Sequence, residues 1–155
     1  MNDSSSPEAR LAALGITLPA PAAPAANYVP TVAAGGLLFI SGQLPTGPSG
    51  PSVGKLGADL DVEAGRIAAR YAAINILAQA RAALGGLDRI ARVARVTGFV
   101  NGVGGFAEPH KVLDGASELL VAVLGERGRH SRTVLTAAGL PMNAAVLVDA
   151  IIVVG

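Results

Sequence analysis

The C-terminal stretch "SRTVLTAAGLPMNAAVLVDAIIVVG" holds one cation, Arg132, at the head of two otherwise apolar runs. A guanidinium is planar, always charged and carries five donors in a fixed fork, so it matches a carboxylate in a bidentate pair better than lysine does. A charged strand residue facing a partly desolvated cleft is costly unless paired, which makes an anion its natural complement. Taken alone, the same residue is read more readily as standing at the exposed start of a strand, paired with a surface carboxylate, since such pairs are common. Asp149 is the acid of this stretch; two residues beyond Leu147, it projects from the same strand face, roughly 6.5–7 Å further along by strand rise.

Other chemistry is sparse. The two histidines, His110 and His130, are separated by almost a full helix plus a loop and have no third ligand in view, so no metal site is expected. "NGVGGFAEPH" has the glycines of a phosphate-binding loop without the strand-to-helix context or spacing that such a loop requires. Disulfides, thiolate catalysis and Cys-ligated metal are excluded, because the chain contains no cysteine.

These residues need elements to position them. "SPEARLAALG" has Ser6 as N-cap, Pro7 at the first helical position and Gly15 as a stop, the order of signals for one short helix. "ITLPAPAAPAAN" then reads as an extended, polyproline-like arm on the surface. From Tyr28, two apolar stretches flank Gly35-Gly36 and predict a hairpin, whose first strand, because of Pro30, lies at an edge or has only just begun there. "TGPSGPSVGKLGADL" predicts a loop with no regular structure. Ile67, Tyr71, Ile74, Leu77, Ala78 and Leu84 fall on one face of a long helix ended by Gly85-Gly86. "IARVARVTGFVN" is a strand with basic residues on one face, and a second long helix runs from near Pro109 to the Gly125–Gly128 region. The last run splits at "GLP" into strands at roughly 132–138 and 144–154. Hairpin, helix, strand, helix and two strands make an α+β fold, a sheet with two long helices on one face.

Composition bounds the rest. With 155 residues the chain fits one core; residues 1–26 are expected to form the N-terminal helix and arm, and 27–155 a single domain. Hydrophobic residues make up 51% and aromatics 3%, so the core must be aliphatic. A net charge of +1 gives no electrostatic footprint for nucleic acid or an anionic membrane. Charged residues total only 15%, a low share that a covering subunit interface would explain. No secretory signal and no membrane span is read, so the expected location is the cytoplasm.

Three fragments taken together, "NYVPTV", "FISGQLP" and "SRTVLTAAGLPMNAAV", resemble the Rid family, also called the YjgF or endoribonuclease L-PSP family. The resemblance runs from about Tyr28 to the C-terminus, and the N-terminal helix and Pro-rich arm look like the family's longer branch. The spacing fits as well as the letters: Tyr28 lies thirteen residues before Ser41, and Arg132 nine before Pro141, as in the family. The resemblance implies a chorismate-mutase-like mixed sheet, a barrel-like homotrimer with sites in clefts between subunits, and hydrolysis of 2-imino acids, formed from enamines such as 2-aminoacrylate, to 2-oxo acids and ammonia with no metal or organic cofactor.

Carried over residue by residue, the resemblance makes Arg132 the clamp of a small carboxylate-bearing metabolite, Tyr28 a wall and hydroxyl donor, and Ser41 with Gly42 the border of the pocket. Phe106 matches a packing position, and His110 falls where many members have an asparagine facing the neighbouring cleft. Two positions depart from the pattern. Leu147 stands where the deaminating branch has the glutamate that positions the attacking water, and Val134 replaces a small, often cysteine, residue. Leucine can neither orient nor deprotonate water; Asp149 could substitute only through a deeper substrate or a chain of waters, and the resemblance, with an acid at this place in other members too, implies a structural acid instead. The sequence therefore supports two functions, an imine deaminase and a non-catalytic trimer that senses a keto acid. Ribonuclease action, attached by name to some relatives, is opposed by the near-zero net charge and the lack of an acid–base histidine pair.

Overall fold

A computed structural model describes residues 5–155; residues 1–4, the first part of the N-terminal segment discussed above, lie outside the described residues. The first helix, α1 (Pro7–Ala13), starts as its signals predict, with the Ser6 hydroxyl accepting from the Ala9 amide at 3.2 Å. Gly15 follows at φ +69°, a left-handed position that ends the helix at no steric cost.

The hairpin joins β1 (Thr31–Ala34) to β2 (Leu37–Gln43) through Gly35 and Gly36, at φ +58° and +75°. Positive φ at both central residues suits a primed turn, whose twist matches that of paired strands. Where a plain loop was expected, two short strands, β3 (Thr46–Gly47) and β4 (Gly50–Pro51), pair as a separate small hairpin. Gly50 at φ +101° makes that turn possible, a conformation that composition alone could not distinguish from irregular loop.

The long helices are α2 (Val62–Leu84), capped by the Asp61 carboxylate on the Ala64 amide and closed by left-handed Gly85, and α3 (Pro109–Leu124). Between them in the chain runs β5 (Ile90–Asn101), and β6 (Ser131–Ala137) and β7 (Val146–Val154) follow α3. The five strands form one mixed sheet in the order β1-β2-β7-β5-β6, parallel only between β5 and β6. β7 lies at its centre, with Val148 and Ile152 fully buried against the helices.

Small residues bring α2 close to its neighbours: Ala68, Ala69, Ala72, Ala73 and Ala80 are fully buried. Gly115 of α3 approaches the α2 backbone so nearly that a Cβ there would lie 2.1 Å from the Arg66 carbonyl oxygen. The buried face of α2 is thus the alanine face. Ile74, Leu77 and Ala78 join it as the apolar spacing predicts, but Ile67 is exposed and Tyr71 and Leu84 only half-buried, because alanine carries too little hydrophobicity to mark the stripe it forms.

Both helices cover one face of the sheet. The other face presents rows read directly from the strand register: Val32, Phe39 and Ile151 in one, Asp149, Thr97 and Thr133 in the next, Leu147, Phe99 and Leu135 in the third. Val32, Phe39 and Leu135 are exposed there, the last at 55%. Two bulges in β5, at Ala91 and Ala94, put Arg92 and Arg95 on this open side although they are three residues apart.

Candidate functional site

Arg132 is carried by the edge strand β6, opposite Val96, and points to the helix side of the sheet together with Val134, which packs against the core. Its side chain keeps 25% exposure. α3 supplies the partners: Nη1 lies 2.9 Å from Asp114 Oδ1 and donates to Ser117 Oγ at 3.2 Å, while Nη2 donates to the His110 carbonyl at 3.0 Å. Asp114 and Ser117 are one helical turn apart and so share the face that meets β6. Two N–H groups thus donate hydrogen bonds, the Asp114 carboxylate adds an ion pair, and the orientation of the fork is fixed. The surface-carboxylate pair considered for Arg132 is therefore present, and it occupies one nitrogen.

The support continues one shell outward. Ser117 Oγ is 2.9 Å from His130 Nε2, and His130 Nδ1 is 2.6 Å from the Gly128 carbonyl. Since the carbonyl only accepts, Nδ1 carries the proton and Nε2 accepts from the serine hydroxyl, which itself accepts from Arg132. Burial lowers the His130 pKa, the Arg132 charge lowers it further, and the bond to Gly128 opposes both. A neutral imidazole thus terminates a chain of hydrogen bonds that begins at Arg132. His110, expected near a ligand by its side chain, contributes its carbonyl to Arg132 instead, and its side chain is exposed.

Tyr28, Ser41 and Gly42 gather at the opposite end of the sheet. The Ser41 amide donates to the Pro30 carbonyl at 2.9 Å, which holds the segment after Tyr28 beside β2, and Gln43 Nε2 donates to the Ser41 carbonyl at 3.0 Å. A bulge between Ile40 and Gln43 displaces Ser41 and Gly42 from regular pairing with β7. All three residues line a cavity of about 580 Å³ between the N-terminal arm, α2, β2 and β3. Leu147 reaches the same corner: a Cβ on Gly42 would lie 2.8 Å from its Cδ1. The leucine therefore packs directly on the Ser41–Gly42 segment. Asp149 lies on the open face with Thr97, where burial raises its pKa, while hydrogen bonds from Thr97 and the charge of Arg95 oppose the shift.

Within one chain Arg132 and the Tyr28 wall stay apart. β7 and β5 intervene between β2 and β6, three strand spacings or roughly 14 Å, so one small ligand cannot touch both in a single copy. Sequence reasoning missed Asp114, Ser117 and His130 as the holders of Arg132. The only signal for the first two was their three-residue spacing on α3, which is common on any helix. It also missed Arg70, Tyr71 and Asn75, the part of the cavity wall that α2 provides. Among the described residues no cluster of three metal-ligating side chains occurs, and no helix is long and apolar enough to cross a membrane.

The sequence and the fold resemble those of known proteins. A family model described as "YjgF/chorismate mutase-like, putative endoribonuclease" matches residues 8–153. Protein TCP17 of Trypanosoma cruzi is 49% identical over 146 residues, 93% of this chain and 91% of that protein. Among solved structures, Atu1372 of Agrobacterium tumefaciens, described as of unknown function, is 48% identical with a TM-score of 0.88, covering 96% of this chain and 94% of that one. A Shewanella oneidensis protein, titled a "putative endoribonuclease", is 41% identical with a TM-score of 0.92, covering 96% and 99%.

Proposed function

The chain belongs to the YjgF/chorismate-mutase-like family, and on that premise we propose that it is a homotrimer that binds a small carboxylate between subunits, Arg132 of one copy facing the Tyr28, Ser41 and Gly42 wall of the next. The observation that carries this reading is the hold on Arg132: Asp114, Ser117 and the His110 carbonyl fix its fork while N–H donors remain for a ligand. The separation of Arg132 from the wall supports a second copy, because only a neighbour could bring a wall to it. The open sheet face, with Val32, Phe39 and Leu135 exposed, supplies apolar surface for such a contact.

The proposed reaction is hydrolysis of a 2-imino acid, R–C(=NH)–COO⁻ plus water giving R–CO–COO⁻ plus ammonia. Arg132 would pair with the carboxylate and position the adjacent C=N carbon, and holding the imine in one orientation lowers the entropic part of the barrier. Tyr28 would cover the ligand and offer its hydroxyl. Val134 and Leu147 make the surroundings apolar, and Asp149, with its raised pKa, is the acid closest in sequence and on the same face as Leu147.

A second reading, binding of a 2-oxo acid without turnover, rests on a specific contact. Leu147 packs on Gly42 at the place where a water-orienting carboxylate would be needed. Neither reading gives a polyanion a surface, and RNA cleavage is not proposed. The test follows the decay of enzymatically generated 2-aminoacrylate with wild type beside Arg132→Ala. Acceleration that the variant loses is expected for a deaminase. A wild-type protein that binds 2-oxobutyrate but leaves the decay at its buffer rate would establish the binding function instead.

A further inference from the structure

Among the described residues, Arg70 is the only charged one lining the cavity under the N-terminal arm. Among the described residues it has neither an ion pair nor a hydrogen-bond partner, in contrast to Arg66 one turn earlier, which pairs with Glu118 at 2.7 Å. A guanidinium beside a largely apolar space, with no acid among the described residues that line it, is a positive charge that attracts an anion.

The surrounding wall is built and fixed rather than a loose groove. Its aliphatic part comes from Ile16, Pro19, Ala20, Pro24 and Ile74, and its volume of about 580 Å³ lies within the range of small-molecule sites, roughly 300–1,000 Å³. The roof is fastened to α2: Gln79 Nε2 donates to the Ala22 carbonyl at 2.9 Å, Arg81 reaches the Leu18 carbonyl at 3.5 Å, and the Leu18 side chain is buried. The floor is fastened as well, by Asn75 Nδ2 on the Leu44 and Thr46 carbonyls at 2.9 and 3.1 Å. This use of both amide hydrogens leaves Asn75 Oδ1 as an acceptor. The Tyr71 ring lies so close to Gly47 that a Cβ there would fall 2.7 Å from its Cζ, which locks the ring as a wall.

We propose that this cavity is a binding site for an amphipathic organic monoanion, a carboxylate on a short apolar chain or ring, with Arg70 as its counter-charge and the arm as its roof. Tyr28, Ser41 and Gly42 border both this cavity and the proposed inter-subunit cleft, but Arg70 belongs to the same chain as its cavity. The inference therefore stands or falls independently of Arg132.

The two tyrosines of this tryptophan-free chain, Tyr28 and Tyr71, both line the cavity, so intrinsic tyrosine emission reports on its contents. The experiment titrates full-length protein with hexanoate, transparent where tyrosine absorbs, and with hexanamide as its uncharged counterpart. A saturable change with hexanoate is expected for wild type and, from this cavity, still in Arg132→Gln, with the affinity of that surviving phase about tenfold or more weaker when Arg70→Gln is added, the loss of a charge-assisted bond. Arg70→Lys should recover part of it, and hexanamide should bind both proteins weakly and alike. The proposal is overturned if hexanoate produces no saturable change, if adding Arg70→Gln to Arg132→Gln leaves the affinity of that phase unchanged at an unchanged thermal midpoint, if hexanamide matches hexanoate, or if Arg132→Gln abolishes the response.

Discussion

At the scale of single residues, the chemistry turns on how a charge is held. Arg132 is oriented by a carboxylate, a hydroxyl and a backbone carbonyl, and the hydroxyl depends in turn on a neutral His130. The folded-state pKa of His130 is depressed, so its contribution to stability is present above the ordinary histidine value of about 6.5 and is lost as pH falls through the folded value. Thermal midpoints should therefore fall more steeply with acidification below that pH in wild type than in His130→Gln, as scanning calorimetry can show; parallel curves would remove His130 from the account. Asp149 has the opposite sign. Its pKa is raised by burial, so the folded state is favoured with the carboxyl protonated, and that contribution is lost as pH rises through the folded value. Asp149→Asn should raise the thermal midpoint at neutral pH, and the gain should vanish in acid, where both proteins carry a neutral side chain.

At the scale of elements, the closest constraint is between helices. Ala in place of Gly115 would put a methyl group 2.1 Å from the Arg66 carbonyl oxygen, and two backbones cannot yield as a flexible side chain does. Gly115→Ala should cost roughly 1–3 kcal/mol, the range for overpacked sites, read as a lower denaturant midpoint with an unchanged slope. A neutral substitution would mean that α3 can slide on α2. Glycine and proline punctuation made most elements legible in the sequence: Ser6, Pro7 and Gly15 bounded α1, Gly35-Gly36 made the first hairpin, and the final strands fell at 131–137 and 146–154, close to their expected ranges. The buried stripe of α2 was less legible, because alanine repeats carry little periodic hydrophobic signal and Ile67 faces outward. Nor could spacing reveal Ser117 beside His130, since α3 and β6 meet only through the parallel crossover that sets their register. The arm read as surface linker proves to line a cavity, a contact that its Pro-Ala composition does not encode.

At the scale of the whole molecule, one sheet face is covered by two helices and the other is not. Low charge content and the exposed Phe39, Val32 and Leu135 fit a surface designed to meet copies of itself. Light scattering should give three times the chain mass of 15.4 kDa, and Leu135→Glu, which places a charge in that face, should shift the population toward monomer. A monomeric wild type would leave Arg132 without its wall.

The most direct test of the central claim, that one copy's Arg132 and the next copy's Tyr28 wall make a single carboxylate site, is subunit mixing. Arg132→Ala and Tyr28→Ala proteins, each weak in 2-oxobutyrate binding alone, are dissociated, combined and reassembled, and binding is measured by calorimetry. The account predicts that the mixture regains a fraction of wild-type sites, because some interfaces then pair an intact arginine with an intact wall. A mixture that assembles fully and binds no better than its two components would contradict it.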